Sequence, residues 1–112
     1  MKLISAVIRP EKLDDVRSAL ALEGLNGLTA WPVSGVGQQA GHKETYRGQN
    51  YVVDLLPKVK LELAVHEEIL EKALDIIVTS AYTGSMGDGK IWVTPIESII
   101  RIRTGERGTS AF

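Results

Sequence analysis

The stretch "PKVKLELAV" (57–65) carries the clearest strand pattern in the chain. Val59, Leu61, Leu63 and Val65 recur at every second position, with Lys58, Lys60, Glu62 and Ala64 between them. Successive side chains of a strand point to opposite faces, so one face is apolar and the other polar. The next stretch, "EEILEKALDIIVTSAY" (67–82), changes period. Ile69, Leu70, Ala73, Ile76, Ile77 and Ala81 fall on one face of a helix. Glu67 and Glu68 sit in its first turn, where the dipole favours negative charge.

A similar strand–helix pair stands upstream. "LISAVIR" (3–9) is a short apolar run ended by Pro10 and reads as a buried strand. "EKLDDVRSALALEGL" (11–25) is helical, with Leu13, Val16 and Leu20 at i, i+3 and i+7, and Gly24 and Gly27 at its end. "LTAWPVSGV" (28–36) is a second strand. Pro32 has no N–H to give a ladder, which requires a sheet edge or a bend there. "KIWVTPIESIIRIRT" (90–104) supplies one or two further strands around Pro95.

The order is therefore β-α-β, a long connection, then β-α-β. Two such halves predict an α+β ferredoxin-like βαββαβ sandwich: one four-stranded antiparallel sheet with both helices on one face. Its second strand is an edge strand, in agreement with Pro32. The other sheet face is left bare, and a homo-oligomer is its natural cover. With 112 residues, one domain over 1–112 is expected.

Composition removes several function classes. Net charge is −1, which gives no global pull toward nucleic acid or anionic membrane, so any anion site must be local. Aromatic content of 5% and the lack of a paired aromatic motif argue against an RNA-stacking sheet. The chain has no cysteine, which excludes disulfides, thiolate metal sites and a thiol nucleophile. The apolar run at the N-terminus is too short for a signal peptide or a span, so cytoplasmic residence without membrane insertion is expected.

Three clusters carry the chemistry. "TGSMGDGK" (83–90) nearly matches the phosphate-binding pattern of P-loop proteins, with Gly84, Gly89 and Lys90 in place. Ile91 stands where Ser or Thr is needed, and a strand follows instead of a helix, so a P-loop NTPase is excluded. The turn chemistry survives: Gly87 and Gly89 permit a tight turn whose N–H groups converge on an anion, and Lys90 adds charge. Arg101 and Arg103, read as i and i+2 of a strand, share a face and suit phosphate oxygens. "GVGQQAG" (35–41) opens a segment running to about 56, longer than the roughly 12–15 residues of an ordinary connection. Lys58 waits where that segment returns, on the polar face with Glu62. His42 and His66 are far apart in sequence and read as surface residues. A set rich in phosphate-binding groups and poor in acid–base pairs describes a sensor site.

"KLDDVRSAL", "YRGQNYVVDLLPKVKLEL", "TGSMGDGKIWV" and "IIRIRTGE" together resemble the PII nitrogen-regulatory signal-transduction family over essentially the full length. The resemblance implies a homotrimer that reports nitrogen, carbon and energy status, binding ATP or ADP in clefts between subunits, with 2-oxoglutarate joining Mg-ATP. It implies that Gly87, Asp88, Gly89 and Lys90 hold phosphates, with Arg101 and Arg103 reaching them. Thr29, Gly35, Gly37, Glu62 and Ala64 would line the base and ribose end. Gln38 would lie at the phosphates, and Gln39 would coordinate magnesium. Lys58, with Gln39 and backbone near Gly41, would bind 2-oxoglutarate. Tyr51 matches the tyrosine that is nucleotidylated in many members. The segment at about 37–56 resembles the T-loop, which docks on partners. Family partners include an ammonium transporter, which would recruit the protein to the membrane, a nucleotidyltransferase, a sensor kinase and metabolic enzymes.

Two departures stand out. Members commonly read G-x-G-R-Q-K-G where this chain reads "GVGQQAG": Gln38 replaces an arginine and Ala40 a lysine. Two cations are missing, and weaker ATP binding or weaker effector coupling is expected. The competing reading is a small ferredoxin-like phosphate-ester or ATP hydrolase. The lack of a base beside the phosphate cluster weighs against an enzyme.

Overall fold

The structure is a computed structural model that describes residues 1–36 and 55–112, together with the backbone of 43–46 and 49–52. Strand β1 (Lys2–Ile8) is followed by a 3-10 turn, Pro10–Lys12, and helix α1 (Leu13–Leu22). Strand β2 (Leu28–Gly35) leads to a ribbon of β3 (Lys43–Tyr46) and β4 (Gln49–Val52). Strand β5 (Leu56–Val65), helix α2 (Leu70–Ala81) and strand β6 (Gly89–Pro95) complete the fold. The main sheet has the order β2-β5-β1-β6 and every pairing is antiparallel. This is the expected ferredoxin-like sandwich, and β2 with Pro32 is an edge strand.

The period-2 pattern does what it predicts. Leu61, Leu63 and Val65 of β5 and Ile4, Ala6 and Ile8 of β1 are buried, as are Val16 and Leu20 of α1 and Ala73, Ile77 and Ala81 of α2. These side chains form one core, so both helices cover the same sheet face. The end of α1 is set by Gly24, at φ +76°. Its N–H reaches Ala21 O and that of Leu25 reaches Leu20 O, which satisfies the last carbonyls of the helix.

The C-terminal stretch departs from the expectation. Among the described residues, β6 stops at Pro95 and no strand contains Arg101 or Arg103. Pro95 pairs with Lys2, the first residue of β1, so the neighbouring strand offers no further ladder. The Ile96 N–H makes one last bond to Met1 O, 3.1 Å. The chain then turns: Gly105 N–H donates to Arg101 O at 2.7 Å and Arg101 N–H to Glu106 O at 2.9 Å. The end of the chain is held there by Phe112, whose ring stacks on His66 with centroids 4.1 Å apart.

The segment between β2 and β5, expected as a long connection, contains strand pairing of its own. Residues of β3 and β4 pair antiparallel from Lys43↔Val52 to Tyr46↔Gln49. Gly37, Gln38, Gln39, Ala40, Gly41 and His42 lie outside the described residues.

Candidate functional site

Helix α2 ends at Ala81, and the glycine-rich stretch must return the chain to β6 within a few residues. Gly84, Gly87 and Gly89 all take positive φ, and at Gly89 no other residue fits. A Cβ there would lie 1.8 Å from Val7 O, because Gly89 pairs with Ile8 at the end of β1. The turn is organised by one carboxylate. Asp88 accepts the Thr83 N–H at 2.8 Å, the Gly84 N–H at 2.9 Å and the Thr83 hydroxyl. Arg9 Nε donates to its Oδ1 at 3.0 Å. These bonds, the Thr83 hydroxyl first, hold the Asp88 carboxyl far below the usual carboxylate range. Asp88 therefore shapes the turn with its side chain.

Two cations hold successive carbonyls of the same turn. Arg9 Nη2 donates to Met86 O at 2.8 Å, and Lys58 Nζ to Gly87 O at 2.5 Å. The strand pattern places Lys58 on the polar face with Glu62. In the fold it is buried, and Glu62 instead accepts from Ser5 Oγ at 3.2 Å. Burial, then the nearby Arg9 charge, push the Lys58 ammonium below its ordinary value of 10.5.

The turn forms one wall of a cleft of about 720 Å³. The other wall is Val33, Ser34, Gly35 and Val36 at the end of β2; Val7, Lys58, Lys60 and Trp92 form the sheet-side floor, and Lys90 lies at the edge. Gly35 and Val36 lead directly into the segment that begins at 37, so the cleft lies where that segment leaves β2. Lys60 sits between two indoles, 5.5 Å from the Trp31 ring and 5.4 Å from that of Trp92. A second hollow of about 550 Å³, lined by Ala19, Lys72, Asp75, Ile76, Thr79 and Ser80, contains none of the expected site residues.

Gly35, Lys58, Gly87, Asp88, Gly89 and Lys90 are thus brought together. Thr29, Glu62 and Ala64 are not in the cleft. Thr29 pairs with Glu62 and Ala64 with Leu3, further along the bare face. Arg101 and Arg103 follow at the far end. Gly89 pairs with Ile8 and Pro95 with Lys2, so β6 separates the turn from the C-terminal segment by about 20 Å. Arg101 makes an ion pair with Glu106 at 3.2 Å, and Arg103 is exposed. Tyr51 lies in β4, opposite Glu44.

Two contributors escaped the sequence reading. Arg9 looked like the end of a strand, and nothing local tied it to a turn 79 residues away. Thr83 had a legible signal: a hydroxyl five residues before Asp88 across two glycines, the spacing of a closed turn. Among the described residues no group of three or more His, Asp or Glu could hold a metal ion, and no helix is long and apolar enough to cross a membrane.

An α+β sandwich whose chemistry is concentrated in a carboxylate-shaped glycine turn with flanking cations, next to the start of a long insertion, is a domain of the regulatory class. Comparison with known proteins agrees. Residues 1–106 match the family described as Nitrogen regulatory protein P-II. The chain is 51% identical over 111 residues to Nitrogen regulatory protein P-II of Azospirillum brasilense and 52% identical to Nitrogen regulatory protein P-II 1 of Escherichia coli, covering 99% of both chains in each case. It is likewise 52% identical to Nitrogen regulatory protein P-II of Klebsiella oxytoca. The chain belongs to the nitrogen regulatory protein P-II family and is a regulator, not an enzyme.

Proposed function

We propose that the protein is a homotrimeric sensor that binds ATP or ADP at the glycine turn, binds 2-oxoglutarate beside Lys58, and poses the segment at about 37–56 as a T-loop against partner proteins. The observation that carries this reading is the division of the site residues between two ends of one subunit. Gly35, Lys58 and Gly87–Lys90 form one group, and Thr29, Glu62, Ala64, Arg101 and Arg103 lie apart from it. A nucleotide would meet both groups only where two copies adjoin, with the bare sheet faces against one another.

The residues present suit a phosphate. Lys58, Lys60 and Lys90 line the cleft. The Asp88 charge is spent on Thr83, Gly84 and Arg9. Gly87, Asp88, Gly89 and Lys90 would hold the phosphates, and Arg101 and Arg103 of a neighbouring copy would complete the clamp. Magnesium, held with Gln39, would neutralise phosphate charge. Lys58 would pair with a carboxylate of 2-oxoglutarate, with Gln39 and Gly41 at the other side. Each ligand shifts the T-loop by no more than its differential affinity for the loop states. A nucleotidyl group on Tyr51 would place a bulky anion on the docking surface. The partner classes are an ammonium transporter, a nucleotidyltransferase, a sensor kinase or an enzyme of nitrogen metabolism. The working compartment is the cytoplasm, with the transporter as its route to the membrane.

The test is calorimetry of ATP, ADP and 2-oxoglutarate singly and together, with sedimentation of the same sample. The expected result is a trimer that takes up 2-oxoglutarate only with Mg-ATP present. A monomer, or no heat with millimolar adenine nucleotide, refutes the reading.

A further inference from the structure

We infer that Arg9 is a positioning residue for the glycine turn, fixing the direction of its backbone N–H groups; the inference rests on the reading of that turn as a phosphate site. Arg9 directly follows β1 and precedes Pro10, in an extended conformation with φ −64° and ψ 138°. Its guanidinium spans two points of the turn, Asp88 Oδ1 at 3.0 Å and Met86 O at 2.8 Å. The peptide unit is planar and trans, so the Met86 carbonyl and the Gly87 N–H point in opposite directions. Holding Met86 O toward Arg9 therefore turns the Gly87 N–H away from it. Lys58 on Gly87 O does the same for the Asp88 N–H.

Gly87, at φ +97°, has no Cβ to restrict its backbone, so its orientation must be imposed from outside. Only a planar fork reaches both acceptors from one anchor, and an ammonium at the same place could take one. Arg9 and Asp88 are largely enclosed, with side chains 17% and 24% exposed, which limits screening of the pair. The Arg9 charge also helps to lower the Lys58 pKa, which places the two cations in one field.

The test compares the full-length chain with Arg9→Gln and Arg9→Lys. Amide hydrogen exchange is read at Thr83 and Gly84, whose N–H groups both end on Asp88. ATP and ADP affinities are read by calorimetry. A charge-assisted fork lost from a part-buried site predicts exchange about tenfold faster and nucleotide about tenfold weaker for Arg9→Gln. Arg9→Lys should recover about half of the loss on a logarithmic scale. A residue that merely supported the sheet would speed exchange across β1 and β6 alike; Arg9 should change residues 83–89 alone. Unchanged exchange at Thr83 and Gly84, or acceleration spread evenly over the sheet, overturns the inference. If Arg9→Gln does not fold, Arg9→Lys carries the same comparison. Absence of nucleotide binding by the wild-type protein would remove the proposed function, while the exchange comparison still decides whether Arg9 holds the turn.

Discussion

Replacing Gly89 with alanine tests the geometry of the site at its tightest point. The residue sits at φ +103°, and an added Cβ would lie 1.8 Å from Val7 O and 2.8 Å from Val7 C. An L-residue in a left-handed conformation costs about 1–2 kcal/mol. The contact cannot be relieved by a rotamer change, because the obstructing atoms are backbone of β1. The Ile8–Gly89 pair would have to open, and overpacking of this kind costs about 1–3 kcal/mol. The sum is about 2–5 kcal/mol, or a fall in Tm of about 8–20 °C for a domain of this size. Two other glycines provide the scale. Gly105, at φ +73° with open space around it, should lose only the conformational part, about 1 kcal/mol. Gly27 has open space and no positive φ, so alanine there should be neutral or stabilising by a few tenths of a kcal/mol. Thermal and denaturant unfolding at one fixed protomer concentration would rank the three. If Gly89→Ala melts with Gly105→Ala, the close approach of the turn to β1 is wrong, and with it the shape of the cleft.

Three further outcomes are expected. Asp88 has a depressed folded pKa, so its contribution is present above the ordinary value of 3.8 and is lost as pH falls through the depressed one. Thr83→Val removes the largest cause of that depression; the Asp88 carboxyl should then titrate at higher pH by carbon-13 NMR, and acid unfolding should begin earlier, whereas an unmoved titration would count against the turn as described. Lys60→Met removes a cation from between Trp31 and Trp92, the only tryptophans in the chain. Intrinsic emission should change and stability should fall by about 1–2 kcal/mol; an unaltered spectrum would show that the stack does not form. Gln38→Arg restores a cation that the family commonly carries at the foot of the loop, and ATP affinity should rise by about tenfold in calorimetry; no gain would dispose of the argument from the missing charge.

The strands and helices were legible because their signals are local. Leu61, Leu63 and Val65 alternate within ten residues, and Ala73, Ile77 and Ala81 repeat at one helical turn, so each element announces its buried face without knowledge of its neighbours. Pro32 announced an edge strand for the same reason, since its missing N–H is a property of the residue itself. Arg101 and Arg103 misled because an alternating "IRIR" meets the strand pattern, but a strand needs a partner, and β1 offers none beyond Lys2. Lys58 was legible as a polar-face residue of its strand, but nothing near it in sequence reveals that Gly87 closes over that position.

The sequence alone determined the α+β order, the two buried faces, the edge position of β2 and the glycines required for a tight turn. All of these follow from residue chemistry repeated over a few positions. Tertiary structure decided which groups meet: Arg9 with Asp88, Lys58 with Gly87, Lys60 with two indoles. It also decided that the arginines near the C-terminus stand at the opposite end of β6 from the turn. These contacts join segments tens of residues apart, and their partners are chosen by the packing of the whole sheet.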